Sequence, residues 1–240
     1  MEVRNYLLGY KNMYIYQDTD MFNFSLDSVL LPNFVTINKS ARNILDIGTG
    51  NAPIPLILST KTNAKIVGIE IQETSALLAT KSVLENKLEK QIEIINSDIK
   101  DYYLKQESDY FDVITCNPPY FKLNDKSNVN INKEKTLARH EMTLTLEDIF
   151  LVARKLLKNG GVIGIVNRPE RLADIILLMK ENNIEPKKIQ LVYPFMNKNA
   201  NILLMEGAKN GKPGLKILPP IYTHLPNGEY TDTIKKFFEE

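Results

Sequence analysis

Short apolar runs rich in β-branched residues alternate along this chain with longer stretches whose apolar positions recur every three or four residues. Asn43–Ile47, Lys65–Ile69, Gln91–Asn96, Phe111–Cys116 and Val162–Val166 have the length and composition of buried strands. Between and after them, Ile54–Lys61, Glu73–Lys87, Leu146–Lys158 and Pro169–Asn182 read as helices. In Glu73–Lys87 the expected buried stripe is Leu77, Leu78, Val83 and Leu84. Asn159-Gly160-Gly161 reads as the stop of the helix before it, and Pro169 suits a first helical turn. Ile189–Tyr193 and Asn201–Glu206 make a final pair of strands. Strands separated by helices imply crossover units, hence an α/β fold with a mostly parallel, seven-stranded sheet and helices on both faces. No linker or internal repeat divides the chain, so residues 1–240 are expected to form one domain. Sheets of this kind bind ligands beyond the carboxyl ends of their strands, where the strand order reverses.

Composition narrows the class without naming the chemistry. With 43% hydrophobic residues and 25% charged ones, 240 residues are enough for a full core. Cys116 is the one cysteine, so no internal disulfide forms, and a reducing, cytoplasmic setting is the default expectation. Met1–Tyr16 has no apolar signal-like run, and no stretch approaches the roughly 20 apolar residues of a membrane span, so no membrane partner is expected. The formal net charge is +1, too small for strong, sequence-blind binding to polyanions. Positive charge is nevertheless uneven: Leu151–Glu240 holds 14 Lys and Arg against 9 Asp and Glu. A solvated lysine-rich surface and a nucleic-acid footprint, using residues such as Lys187, Lys188 and Lys198, both fit that surplus. No His or Cys spacing suits a metal, since His140 and His224 lie far apart.

The first chemical motif is Leu45-Asp46-Ile47-Gly48-Thr49-Gly50-Asn51-Ala52-Pro53, between the first core strand and the helix after it. Glycines there let the backbone turn tightly and approach a ligand. Asp46 suits a ligand carrying an ammonium group, such as the methionine end of S-adenosyl-L-methionine, better than a pyrophosphate. Glu70 ends the second core strand, 20 positions after Gly50, a spacing at which a carboxylate can accept bonds from ribose hydroxyls. Ile71 can pack on an adenine face, and Asp98, past the third strand, can accept from an adenine amine. Asp98 alone reads as readily as a helix N-cap. The candidate cofactor residues are therefore Asp46, Gly48, Thr49, Gly50, Glu70, Ile71, Asp98 and Asn117. A dinucleotide oxidoreductase is the weaker alternative.

The second motif, Asn117-Pro118-Pro119-Tyr120, directly follows the fourth strand. An exocyclic amine conjugated to a ring is a poor nucleophile because its lone pair is delocalised. Two fixed acceptors for its hydrogens pull the nitrogen toward a pyramidal geometry. The Asn117 side-chain oxygen and the Pro118 carbonyl can be those acceptors, and consecutive prolines fix the backbone that carries them. Tyr120 offers a flat face for a flipped base. Asn117, Pro118 and Tyr120 are thus the candidate catalytic residues, with an ordinary proline-rich turn as the bland alternative. Cys116 reads as a small buried strand residue with no base to activate it.

Together these motifs resemble class I, Rossmann-like methyltransferases dependent on S-adenosylmethionine. More closely they resemble the bacterial tRNA1(Val) adenine-N6 methyltransferases, which modify the adenosine 3′ of the anticodon. The resemblance covers nearly the whole chain, including Phe22 to Leu31, Asp46 to Pro55, Asn117 to Tyr120, Ala138 to Glu141, and the tail through Gly228-Glu229-Tyr230-Thr231. It implies that residues 1–40 pack over the cofactor, with Phe22, Phe24 and Asp27 contributing. It also implies that RNA, in particular tRNA, is the substrate, with Tyr120 and Arg139 binding it, Arg139 through a phosphate. Ala52 departs from the family's third glycine, which is tolerable if its φ stays negative. The Phe121–Glu141 segment, with its Asn- and Lys-rich stretch and His140, is expected to close over substrate. Guanine-N2 methylation of ribosomal RNA shares the motif. Glutamine-N5 methylation in a protein and DNA adenine methylation share it too, but the glutamine enzymes usually carry a helical domain before the cofactor motif, for which about 45 residues before Asp46 are too few, and the DNA enzymes add a recognition domain for which no room is expected. An inert, RNA-binding member of the fold is the reading from another class.

Overall fold

The computed structural model describes residues 1–7, 9–10, 12–19, 25–118 and 144–237. Phe22, Phe24, Pro119, Tyr120, the Phe121–Glu141 segment and Arg139 and His140 within it lie outside the described residues. The chain begins with an antiparallel hairpin of β1 (Glu2–Tyr6) and β2 (Tyr14–Asp18), followed by α1 (Leu26–Phe34). The sheet and its coverings then alternate: β3 (Asn43–Ile47), α2 (Pro53–Ser59), β4 (Lys65–Glu70), α3 (Glu73–Glu85), β5 (Ile92–Asn96), α4 (Ile99–Lys105) and β6 (Phe111–Cys116). After the undescribed stretch come α5 (Leu146–Leu156), β7 (Leu157–Asn167), α6 (Leu172–Glu181), β8 (Ile184–Tyr193) and β9 (Ile202–Lys209). Two-residue strands β10 (Lys216–Ile217) and β11 (Ile221–Tyr222) and a short α7 (Asp232–Lys235) end the described chain.

The sheet order is β10-β8-β9-β7-β6-β3-β4-β5, with β11 also on β8. Seven strands are long, and β10 and β11 extend the edge. All pairs are parallel except those of β9, which runs antiparallel between β7 and β8. The order reverses beside β3: the chain winds out through β4 and β5, then returns to β6 on the other side. The loops after β3 and β6 therefore flank one crevice, as expected for an open α/β sheet.

Alternate side chains of each strand feed two separate cores. Ile44, Ile66, Ile92 and Val113 pack with α1, α2 and α3, whereas Leu45, Ile47, Ile69 and Ile114 pack with α4, α5 and α6. On α3 the expected stripe is only half right. Leu78 and Val83 are buried, but Leu77 and Leu84 are 58% and 57% exposed. The buried face is completed by Ser75, Ala76, Ala79 and Ser82. These small residues let the N-terminal hairpin lie close, where Ser82 Oγ accepts from the Tyr16 amide at 2.9 Å. Asn86 brackets the Tyr14 backbone, accepting from its amide at 2.9 Å and donating to its carbonyl at 2.7 Å.

Asn159-Gly160-Gly161 is not a helix stop. α5 ends at Leu156 and β7 starts with the next residue, so the glycines sit within the strand, at an irregularity of its pairing with β6. A Cβ on Gly161 would come within 2.9 Å of the Lys158 carbonyl and 3.1 Å of that of Asp112. The pair permits the strand to bend at its entry.

α1 lies on β7 and against α2 because Gly164 leaves room for it. A Cβ there would approach Val35 to 3.0 Å and Leu31 to 3.3 Å. Its exit is clamped by a buried charge. Glu206 accepts from the Thr36 amide at 2.6 Å and the Thr36 hydroxyl at 3.0 Å, and pairs with Lys188 at 3.1 Å. Lys188 also donates to the Phe34 carbonyl at 2.8 Å, so it closes the end of α1 and is committed to that clamp. Glu206→Ala leaves the Lys188 ammonium and the Thr36 amide without their shared acceptor. We expect a loss of about 3 kcal/mol and a melting temperature lower by roughly 6–12 °C, read by thermal denaturation.

Candidate active site

The crevice is built from a row of register partners across three strands. Gly68 of β4, Asp46 of β3 and Thr115 of β6 are paired side by side. Asp46 is fully buried, and its Oδ1 accepts from the Thr115 hydroxyl at 2.6 Å. Its other oxygen, Oδ2, has no hydrogen-bond partner among the described residues, and neither does the buried Thr49 hydroxyl. Thr49 leans over Gly68, where a Cβ would stand 3.0 Å from both branches of its side chain. Gly68 and Thr115 were not among the residues singled out from sequence. A threonine or a glycine inside an apolar strand carries little signal until the register sets it beside a buried carboxylate.

The loop over this row is strained in a specific way. Gly48 (φ +67°), Gly50 (φ +55°) and Ala52 (φ +67°) are all left-handed. A Cβ on either glycine would meet no atom within 4 Å, so both border open space. Ala52 does not meet the condition, a negative φ, under which it would replace the glycine without strain. It accepts a conformation costing an L-residue about 1–2 kcal/mol, held by its amide bond to the Thr49 carbonyl at 2.9 Å and by complete burial. Glu70 ties the loop to the next strand: Oε2 accepts from the Gly50 amide and Oε1 from the Gln72 amide, both at 2.8 Å. These bonds use two of the roughly four acceptor positions of a carboxylate. Asn96 in turn donates to the carbonyls of Glu70 at 2.8 Å and Ile71 at 3.1 Å, locking the ends of β4 and β5 together. Ile71 stands beyond them, 38% exposed. Asp98 is the N-cap of α4, accepting from the Lys100 amide at 2.8 Å through Oδ1.

Asn117 follows β6 on the other side of the crevice. Its Nδ2 donates to the hydroxyl of the buried Ser28 at 3.3 Å. That bond turns the amide nitrogen toward α1. Ser28 was missed in the sequence, where only Phe22, Phe24 and Asp27 of its segment were singled out. Pro118 is buried. Cys116 points into the α4–α6 core, and burial followed by the charge of Asp46 pushes its thiol well up, which keeps it unreactive. The N-terminal segment reaches the crevice twice, through Ser28 and through the Tyr16 carbonyl, which accepts from Asn51 at 3.1 Å. A cavity of about 550 Å³ lined by Lys65, Lys90 and Tyr110 opens at the amino-terminal edge of the strands, away from all these groups.

This arrangement fits a cationic, nucleoside-bearing ligand. Unpartnered buried oxygens on Asp46 and Thr49 face a loop whose two glycines border open space, and the Glu70 carboxylate is fixed at the next strand end. The comparisons agree in kind. A family model described as RNA methyltransferase matches residues 20–172. The tRNA1(Val) (adenine(37)-N6)-methyltransferase of Parabacteroides distasonis is 28% identical over 232 residues, 95% of this chain and 96% of that one. Among solved structures, an Agrobacterium tumefaciens protein described as a predicted O-methyltransferase superposes with a TM-score of 0.70 at 19% identity. That match covers 88% of this chain and 94% of the other. The T. thermophilus 16S rRNA N2 G1207 methyltransferase, solved with AdoMet and guanosine, superposes at 0.58 and 20% identity, covering 87% of this chain and 50% of that one.

Burial pushes Asp46 from 3.8 up to about 7; the Thr115 bond and the neighbouring Thr49 hydroxyl, which lies outside normal bonding geometry, oppose the rise, and the nearby Glu70 charge adds to it. Between about pH 4 and 7 the folded chain thus holds a proton that the unfolded chain has released. The folded state bears no penalty from this group below that window and an increasing one as pH rises through it. Without ligand, wild type should lose about 3 kcal/mol relative to Asp46→Asn between pH 5 and pH 8. Paired denaturant titrations measure this, and a constant difference would mean that Asp46 does not titrate there.

Proposed function

We propose that this chain, which belongs to the RNA methyltransferase family, methylates the exocyclic N6 amine of an adenine in tRNA, the adenosine 3′ of the anticodon. S-adenosylmethionine, when bound, supplies the electrophilic methyl group on its sulfonium. The observation that carries the reading is Asn117, its amide nitrogen held by Ser28, at the end of the strand next to the one that carries Asp46 and its loop. Near-complete mutual coverage with the Parabacteroides enzyme supports the tRNA substrate. Work on tRNA assigns the chain to the cytoplasm; among the described residues no helix is long and apolar enough to cross a membrane.

Each residue has a definite task in this reading. Asp46 and Thr49 hold the ammonium end of the cofactor; the cation draws Asp46 back toward its charged form. Gly48 and Gly50 let the loop backbone approach it. Glu70 accepts from ribose hydroxyls, Ile71 packs against the adenine ring of the cofactor, and Asp98 accepts from its amine while its other oxygen caps α4. Asn117 Oδ1 and the Pro118 carbonyl accept the two hydrogens of the target amine. They localise its lone pair toward the methyl, and the surplus proton passes to water after transfer. Tyr120 stacks on the base and Arg139 meets a phosphate. Residues 1–40 serve as a wall of the site, with Ser28 as a positioning residue that never touches substrate.

Labelled S-adenosylmethionine incubated in parallel with unmodified tRNA, ribosomal RNA, DNA and a protein extract, followed by digestion and mass spectrometry, tests the assignment. N6-methyladenosine in the tRNA fraction is expected. N2-methylguanosine or methylglutamine would reassign the substrate, and cofactor binding without transfer would favour an inert RNA-binding role. Within the expected reaction, Asn117→Ala should lower kcat at least about a hundredfold while still binding cofactor. Ser28→Ala should lower kcat about tenfold by loosening the amide, with KM for tRNA and cofactor both unmoved. A rise in KM instead of a fall in kcat would make Ser28 merely structural.

A further inference from the structure

A stack of aromatic rings stands on the same edge of the sheet as Asn117 and is used by nothing in the reaction above. His224 lies between two rings, 5.3 Å from Phe195 and 4.8 Å from Tyr230 between centroids, with interplanar angles of 29° and 31°. Its Nδ1 is 2.7 Å from the Thr223 hydroxyl, which fixes the ring plane. The Thr223 and His224 amides donate to the carbonyls of Tyr193 and Pro194 at 2.8 and 3.1 Å, so the tail is laced onto the end of β8. A second pair, Tyr193 and Tyr222, continues the aromatic surface with centroids 5.5 Å apart.

Topology gives the stack its position. β8 is antiparallel to β9, which is antiparallel to β7, so β8 ends at the same edge as β6 and β7. Counting strands at about 4.8 Å each, the stack is roughly 14–19 Å from the end of β6, the reach of a few nucleotides of single strand. Cations stand along the path: exposed Arg168 at the end of β7, donating to the Asn201 carbonyl at 3.2 Å, and exposed Lys198 in the turn after Phe195. In the tail, Glu229 pairs with Lys235 at 3.9 Å. Tyr230 keeps 43% of its surface exposed in this setting.

We propose that the Phe195–His224–Tyr230 stack is a platform for unpaired RNA bases next to the target adenosine, with Arg168 and Lys198 on the connecting phosphates. The proposal rests on the RNA reading above and deepens it. Stacking suits this chain because it binds single-stranded loops without the large positive charge that phosphate-dominated binding needs. The unpaired bases of a loop offer faces that a duplex or a protein segment does not.

The test uses the full chain and an unmodified tRNA transcript assembled by ligation, with anticodon-loop nucleotides replaced one at a time by abasic residues. For wild type, one or two abasic positions other than the target should weaken binding about tenfold. Phe195→Leu should lose about the same on intact tRNA and show no further loss at those positions. Its kcat at saturating tRNA and its cofactor affinity should stay within about twofold of wild type. If Phe195→Leu no longer binds cofactor, the more exposed Tyr230→Leu is read in its place. Wild type insensitive to every abasic position, or losses that simply add in the variant, would overturn the platform while leaving the methyltransferase reading intact. Wild type that neither binds nor methylates tRNA would overturn both.

Discussion

The bond from the Gly50 amide to the Glu70 carboxylate holds the site together. It joins the loop after β3 to the end of β4, and its partner bond from Gln72 fixes the carboxylate plane. A loop carrying three left-handed residues within five positions has no regular hydrogen bonding of its own to hold it. Anchored at Glu70 and at the Ile69 carbonyl, which accepts from Thr49, it stays open above Asp46. The carboxylate that orders the apo loop is thus the one proposed to receive the cofactor's ribose, so loop geometry and ligand geometry cannot drift apart.

The strands around the crevice were legible because each is a short apolar run bounded by turn residues and buried on both faces. β3 and β6 begin and end where the pattern places them. β8 was only half legible, since Pro186-Lys187-Lys188 resembles a turn; in the fold Pro186 sits at a register irregularity, one place where a strand tolerates proline. α3 misled because leucine outweighs serine in any hydrophobic pattern. Close approach of the hairpin selected the small residues for burial and left Leu77 and Leu84 outside. The hairpin itself rests on side-chain to backbone bonds between residues some 70 positions apart, such as Tyr14 with Asn86, and local patterning carries no trace of these.

The site shows the same division. Asp46 and Glu70 stand out because carboxylates at apolar strand ends are costly to bury, Gly48 and Gly50 because they mark a tight left-handed turn, and Asn117 because two prolines follow it. Ser28 and Thr115 act on those residues, through one hydroxyl each, and resemble ordinary core polar groups until the fold brings them together. Lys188 illustrates the opposite error. Counted with the basic surplus of the C-terminal part, it is instead spent on Glu206 and the end of α1, so part of that surplus is internal to the fold.

That has a consequence for how a chain of net charge +1 selects an RNA. Each phosphate neutralised by Lys or Arg contributes salt-sensitive, sequence-blind affinity. With a net charge so near zero, that contribution is small, and wrong RNAs gain little from it. On the two proposals made above, recognition comes instead from contacts that only an exposed base can make: hydrogen bonds to the amine of the target and stacking of its neighbours. Both demand nucleotides already out of a helix. A weakly charged surface with fixed acceptors and flat rings would then discriminate by rejecting duplexes, and the modest charge would be part of the selectivity.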